Sequence, residues 1–302
     1  VAVVVALGPV DSDIVGPILG DAHRLVNNPT PEDLAVAEGA IVRGNVTVDR
    51  ALFDSMSQLR VLARTGVGTE LVDLDVARER SIPVVITPGS NTNAVAEGAI
   101  AMMLHLTKNL AVLTELVRDN HWDERDSLPL GDIDGATVGI VGWGRIGQRL
   151  GVLAAAFGAR VRAFDPIASI PADIRCETLA ELLAESDFVS LHAPLVESTR
   201  HMINDESLAV IKPGAILINC GRGPLIDIDA VHRALLSGQL SGVGLDVFDN
   251  EPTDFHPIMS DSRVVLTPHV MGLSRKAAAQ TYADAARGVR AVLDGRSPEA
   301  TA

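Results

Sequence analysis

The chain has 302 residues, of which 47 % are hydrophobic and 21 % charged, and its formal net charge is −14. That length exceeds one ordinary core and predicts two domains. The apolar content excludes a disordered chain, and the acidic balance argues against nucleic acid or an anionic membrane surface as the main partner.

Two cysteines, Cys176 and Cys220, cannot form a disulfide framework, which fits a reducing cytoplasm. The opening VAVVVAL has no basic stretch before it and reaches Gly8-Pro9 after seven residues. It reads as a first strand, not as a signal peptide or membrane span. The first residue is not Met, so the natural N-terminus is expected upstream. No apolar stretch reaches the roughly 18 uncharged residues that a span needs.

Further along, AIVRG at Ala40, LRVLART at Leu59 and IPVVITP at Ile82 read as strands, separated by helical patterns in EDLAVAEG, ALFDSMSQ and LDVARERS. The alternation predicts a parallel sheet with helices on both faces. One long helix is expected over Thr92 to Arg118, linking two domains, with Met102, Met103, Leu106 and Leu110 as core or subunit interface. A polar arm, DNHWDERDSLPLGDIDG, follows. From Thr137 a second series begins, with strands TVGIV, ARVRAFD, DFVSLHAP, AILINCG, GVGLDVF and VVLTPH and helices GQRLGVLAAAF, LAELLAES and DAVHRALLSG. This is the pattern of a second doubly wound domain. The tail AAAQTYADAARGVRAVLDG is one more helix, expected to return to the first domain. The predicted division is 1–92 with 274–302, and 93–273.

The stretch VGIVGWGRIGQRL carries Gly142, Gly144 and Gly147 between an apolar strand and a helix. A lone GxGxxG is weak evidence, but here the next strand ends in Asp165, eighteen residues after Gly147. That context is a dinucleotide fingerprint. The first glycine permits the turn, the second lets backbone approach a pyrophosphate, and the third lets helix and strand pack. Free N–H groups at the helix start would meet the phosphates. Asp165 would accept bonds from the ribose hydroxyls and repel a 2′-phosphate, which predicts NAD over NADP. The bland alternative is that Asp165-Pro166 is only a turn.

Ligands on such sheets bind beyond the carboxyl ends of the strands. Arg222 follows AILINCG, Glu251 follows GVGLDVF and His269 follows VVLTP. Arginine can clamp a substrate carboxylate bidentately. Histidine can exchange the hydroxyl proton. A carboxylate beside it can orient the ring and stabilise the imidazolium. Singly these residues read as a surface ion pair, a solvated loop residue and a packed histidine; their shared sheet edge favours a site for hydride transfer.

With these stretches in place, the chain resembles the D-isomer-specific 2-hydroxyacid dehydrogenase family, which includes phosphoglycerate, glyoxylate/hydroxypyruvate and D-lactate dehydrogenases. Matching segments are ARTGVGTELVDLDVARERSIPVV, TPGSNTNAVAEGAIAMML, GWGRIGQRL with FDP, LHAPLVESTRHMIN, LINCGRGPLID, GLDVFDNEP and LTPHVMG. The resemblance implies a flavodoxin-like substrate domain, a Rossmann-type NAD domain and a catalytic set at Arg222, Glu251 and His269. It also implies that Arg145 and Ile146 touch the pyrophosphate, that Asp246 contacts the nicotinamide carboxamide, and that the Val67 and Gly68 backbone holds the substrate carboxylate. Cys220 falls beside the nicotinamide, where a small buried hydrophobe is the preferred reading. Arg64 in ARTGVG is similar to phosphoglycerate enzymes and faces either a substrate anion or a surface partner.

Departures from the family pattern are Trp143, expected to point outward from the glycine loop, and Met271, expected to line the substrate pocket. His192 is read as structural or near the cofactor, and His256-Pro257 as loop packing. No His/Cys spacing suggests a metal. Glu251, not Gln, at the acidic position disfavours formate dehydrogenase. The sequence ends near 302 without the regulatory domain of many phosphoglycerate dehydrogenases, so a short-form phosphoglycerate or glyoxylate/hydroxypyruvate enzyme is expected. The helix near Asn93–Arg118 and its arm resemble the family's dimer interface, which implies a cytoplasmic homodimer acting on a small 2-hydroxy or 2-oxo acid. The alternative is an NAD-sensing scaffold like the family's corepressors.

Overall fold

A computed structural model describes every residue except Asn45 and Ser127, the latter within the polar arm. The chain forms two compact units, Val1–Asn91 with Leu273–Ala302, and Thr92–Gly272.

The first unit contains β1 (Ala2–Leu7), α1 (Ser12–Leu19), β2 (His23–Asn27), α2 (Pro31–Ala35), β3 (Ala37–Val42), α3 (Arg50–Ser55), β4 (Val61–Arg64), α4 (Leu74–Glu79) and β5 (Val84–Val85). Its five strands are parallel in the order β2-β1-β3-β4-β5, the flavodoxin-like order. The helix expected over EDLAVAEG stops at Ala35, and AEGAIV becomes β3. The pattern predicted neither α1, which holds Pro17, nor β2.

The second unit contains α5 (Thr92–Thr107), α6 (Leu110–Arg118), β6 (Thr137–Val141), α7 (Arg145–Ala156), β7 (Arg160–Phe164), α8 (Leu179–Glu185), β8 (Phe188–Leu191), α9 (Asp205–Ala209), β9 (Ala215–Asn219), α10 (Ile228–Ser237), β10 (Leu240–Leu245) and β11 (Val264–Leu266). The single long helix is therefore corrected to two, bent by 54°. Asn109 breaks it in the left-handed conformation, and its side-chain amide donates to the Pro129 carbonyl at 2.8 Å. No single helix among the described residues is long and apolar enough to cross a membrane.

Six parallel strands run β11-β10-β9-β8-β6-β7. A parallel bridge from Ala163 to Arg175 adds a rudimentary strand outside β7, completing a Rossmann-like half. Separate apolar clusters cover the two faces of this sheet. On one face α5 comes close because β10 carries Gly244, where a Cβ would lie 3.0 Å from Met102 Sδ.

The last helix, α11 (Arg275–Leu293), belongs to the first unit, where Tyr282, Ala285, Ala286 and Val289 join Val4, Ile41 and Val61 in one core. Glycines permit its close approach: a Cβ on Gly39 would lie 2.9 Å from Val289, and one on Gly288 would lie 2.4 Å from Val85.

Candidate active site

The register of the second sheet sets Asn219, Leu245 and Leu266 side by side at the carboxyl ends of β9, β10 and β11. Each apolar run gives way there to a polar residue: Asn219 (0 % exposed), Asp246 (2 % exposed) and Thr267. Asn219 and Asp246 are buried and Thr267 half-buried, and these side chains staple the loops that follow.

Asn219 accepts from the Gly221 N–H at 3.0 Å and donates to the Arg222 carbonyl at 2.9 Å, which fixes the Arg222 loop. The Arg222 guanidinium donates to the Gly221 carbonyl at 2.8 Å. Gly223 lets this loop lie on the next one, since a Cβ there would fall 2.0 Å from the Phe248 carbonyl carbon. In that neighbouring loop Glu251 Oε1 accepts from the Phe248 N–H at 3.1 Å.

Glu251 Oε2 lies 2.6 Å from His269 Nδ1. A carboxylate only accepts, so Nδ1 carries the proton in this contact, and Nε2 is the nitrogen that can exchange a proton with a ligand. His269 is half exposed and has φ +53, a left-handed backbone uncommon for a residue with a Cβ. Asp246 holds that turn. Its carbonyl accepts from the His269 N–H at 2.9 Å, and its Oδ1 accepts from the Thr267 hydroxyl at 2.6 Å and the Val270 N–H at 2.9 Å. Asp246 Oδ2 accepts from the Met271 N–H at 3.2 Å. Asn219, Thr267 and Gly223 escaped the sequence reading; the available signal was a polar residue closing each apolar strand.

The glycine loop after β6 shows three distinct needs. Gly142 has φ +96, and a Cβ would meet the His192 and Ala193 backbone at 2.7 Å. A Cβ on Gly147 would fall 2.1 Å from the Gly142 carbonyl oxygen. A Cβ on Gly144, the cap of α7, would meet nothing within 4 Å. The first and third glycines serve the protein's own packing, and the second faces open space with no side-chain cap over the helix N-terminus. That cradle suits a pyrophosphate. Arg145 is exposed and Ile146 half-buried beside it. A nicotinamide dinucleotide held there would supply or accept a hydride; this chain's own residues would position it and move the proton.

Asp165 closes the same loop. Its Oδ2 accepts from the Trp143 N–H at 2.8 Å, and its Oδ1 accepts from the Ile167 and Ala168 N–H groups at 2.9 Å. Burial opposes its ionisation, but these three donors outweigh it and hold the carboxyl below its usual range. Asp165 is thus both a turn former and an acceptor at the loop. Trp143 corrects the expectation of an outward ring: it is 8 % exposed and packs on Gly151, where a Cβ would lie 2.8 Å from the indole. Cys220 is buried and free, and burial together with the Asp246 carboxylate pushes its thiol up to about 12. It stays protonated, as a small buried hydrophobe does. His192 Nε2 lies 2.9 Å from Ser190 Oγ, its Nδ1 is buried without a partner among the described residues, and burial pushes the ring down to about 4. His256 bonds Asp229 at 3.1 Å and caps the turn at Ile258.

Arg64, Val67 and Gly68 belong to the first unit, at and beyond the carboxyl end of β4. There Gly66 N–H donates to Thr87 Oγ1 at 2.8 Å, shaping the loop that leaves Val67 half exposed. Met271 belongs to the second unit, is partly buried and lies over Gly98 of α5.

Residues 100–271 match the model of the D-isomer specific 2-hydroxyacid dehydrogenase, NAD binding domain. The chain is 38 % identical over 281 residues to the D-3-phosphoglycerate dehydrogenase of Mycobacterium tuberculosis, covering 90 % of this chain and 53 % of the relative. It therefore spans about half the length of the phosphoglycerate dehydrogenases it matches. It is 39 % identical over 235 residues to the hydroxypyruvate reductase of Thermotoga maritima, with 76 % of each chain covered. Among solved structures it superposes on the D-lactate dehydrogenase of Aquifex aeolicus, complexed with NAD and lactic acid, at a TM-score of 0.84 and 28 % identity over 97 % of this chain and 96 % of the other. The match spans the glycine loop, the three stapled strand ends and the His269 turn, and the chain belongs to the D-isomer specific 2-hydroxyacid dehydrogenase family.

Proposed function

We propose that this chain is an NAD-dependent oxidoreductase that interconverts a D-2-hydroxy acid and its 2-oxo acid. The observation that carries the reading is the 2.6 Å contact of His269 Nδ1 with Glu251 Oε2, which leaves Nε2 as the proton-exchanging nitrogen at the strand-end edge of the second unit. During reduction negative charge develops on the substrate oxygen, and His269 delivers the proton while Glu251 stabilises the ring's charged form. In the oxidative direction the neutral ring takes that proton back. Arg222 holds the substrate carboxylate through its planar fork. Asp246 and Cys220 line the nicotinamide end, and Arg145 and Ile146 the pyrophosphate. The Asp165 carboxylate favours NAD over NADP by charge.

For substrate, the reading is a phosphoglycerate or a glyoxylate/hydroxypyruvate pair. Relatives carry those names, and the first unit sets two guanidinium groups at adjacent strand ends: Arg64 pairs in register with Val42, and Arg43 follows it. Arg43 stacks over the Tyr282 ring at 5.4 Å and donates to the Pro9 carbonyl at 3.2 Å. Val67 and Gly68 offer backbone to a carboxylate. Buried, unpaired Cys176 and Cys220 suit the cytoplasm. Leu110, Val117, Trp122 and Leu130 are exposed on α6 and the arm, which suits a homodimer. Light scattering at micromolar concentration should return twice the chain mass, and a monomer overturns that part.

The test of function is NADH consumption with glyoxylate, hydroxypyruvate and phosphohydroxypyruvate. His269→Ala should keep NADH binding and lose about 10²–10⁴-fold in turnover. NADH binding with no turnover on a broad panel of 2-oxo acids would replace the enzyme with a sensing scaffold.

A further inference from the structure

The turn that carries His269 is anchored at two places. One is the Asp246 carboxylate, which takes the Val270 and Met271 N–H groups as described. The other is α5. Met271 is partly buried with its side chain over Gly98, and a Cβ at Gly98 would lie 2.4 Å from its Sδ, 2.8 Å from its Cγ and 2.9 Å from its Cβ. Gly98 and Met102 share one face of α5, four residues apart. Met102 rests on Gly244 of β10, two residues before Asp246. Both anchors of the turn therefore refer to the same strand and helix.

We propose that Gly98 is a socket and Met271 its plug, and that the pair positions His269 against Glu251; Gly98 is a positioning residue acting through Met271. The inference rests on the acid–base reading of His269 given above. Its physical basis is which atoms must move. The far end of the Met271 side chain can rotate away from an added methyl, but its Cβ is fixed to the backbone. A methyl at residue 98 must therefore shift the main chain at residue 271. The hydrogen bonds to Asp246 resist that shift from one side. It passes to the left-handed turn two residues back, which is already the sparsely populated conformation. The His269–Glu251 contact then lengthens or tilts, and rate depends steeply on such placement.

The experiment compares Gly98→Ala, Gly98→Ala with Met271→Gly, and His269→Ala in the full chain. Gly98→Ala should lower the reductive kcat about tenfold, with KM for the 2-oxo acid and NADH affinity within about twofold. Adding Met271→Gly removes the Cβ that is struck and should return kcat to within about threefold of the unmodified protein. A stability defect alone would worsen with the second substitution, so the rescue separates positioning from folding. Unchanged kcat in Gly98→Ala, or a double variant as slow as the single one, overturns the proposal. If His269→Ala keeps full turnover, the acid–base reading falls and this inference with it; if His269→Ala is inactive while Gly98→Ala behaves normally, the socket alone is refuted. Should Gly98→Ala fail to fold, Met271→Ala empties the socket instead. Faster amide exchange at Val270 and Met271 with a lower kcat is then expected, and unmodified values of both would overturn the proposal.

Discussion

Asp165 combines an observed role in the fold with the cofactor role proposed for it. Its three backbone donors include Trp143 N–H inside the glycine loop. Asp165→Ala strips that anchor as well as the carboxylate charge proposed to disfavour a 2′-phosphate. The expected result is NADH affinity weakened about tenfold or more, since an unsatisfied N–H costs about 1–3 kcal/mol, with no absolute gain for NADPH. Titrations with both nucleotides decide it, and tight NADPH binding by the variant would show that Asp165 acts by charge alone. His192 ties stability to pH. Its ring stays neutral in the folded protein until pH nears about 4, against an ordinary value of 6.5. Between those values the unfolded chain binds the extra proton, so stability is lost as pH falls through that window and nothing is lost above it. The loss should be on the order of 1–3 kcal/mol. His192→Gln should flatten that part of the pH profile in urea unfolding; parallel profiles for the two proteins would refute it. Residue types at the site were legible because Arg222, Glu251 and His269 follow recognisable strands. The direction of Trp143 was not, because it depends on which glycine, here Gly151, stands opposite in space.

Among elements, the clearest patterns gave the clearest strands. The six of the second unit are short runs rich in apolar residues, and each is present in the fold. In β2, HRLVN, only two of five residues are apolar, because it is an edge strand with little to bury. The stretch AVAEG reads as helix by composition, yet Gly39 must lie bare under Val289, a demand made by a helix some 250 residues away in sequence. The long helix divides at Asn109, where a local amide bond to Pro129 competes with helix continuation. Gly151→Ala places a methyl against the Trp143 ring between β6 and α7. Overpacking of this kind costs about 1–3 kcal/mol, and the indole must move. The variant should unfold at lower urea and shift the tryptophan emission, to which only Trp122 and Trp143 contribute. Unchanged emission and midpoint would mean that the loop absorbs the methyl without cost.

At the scale of the whole molecule, the second unit holds both of its apolar clusters within Thr92–Gly272. A fragment of that span should fold alone and bind NADH, and its melting temperature should rise with NADH concentration as linkage requires. A fragment that is unfolded, or indifferent to NADH, would contradict this. The first unit is different, because α11 arrives from beyond residue 272 to cover Val4, Ile41, Val61 and Val85. This discontinuity has a consequence for synthesis. On the ribosome the N-terminal strands emerge first, yet they must wait through the whole inserted unit before their covering helix exists. The inserted unit, made later, can finish earlier. Nascent chains arrested when residue 272 has just emerged and α11 still fills the exit tunnel should therefore carry a protease-resistant second unit and a protease-sensitive first ninety residues, with an apolar sheet face open to chaperones. Release of α11 from the exit tunnel is the event that closes it.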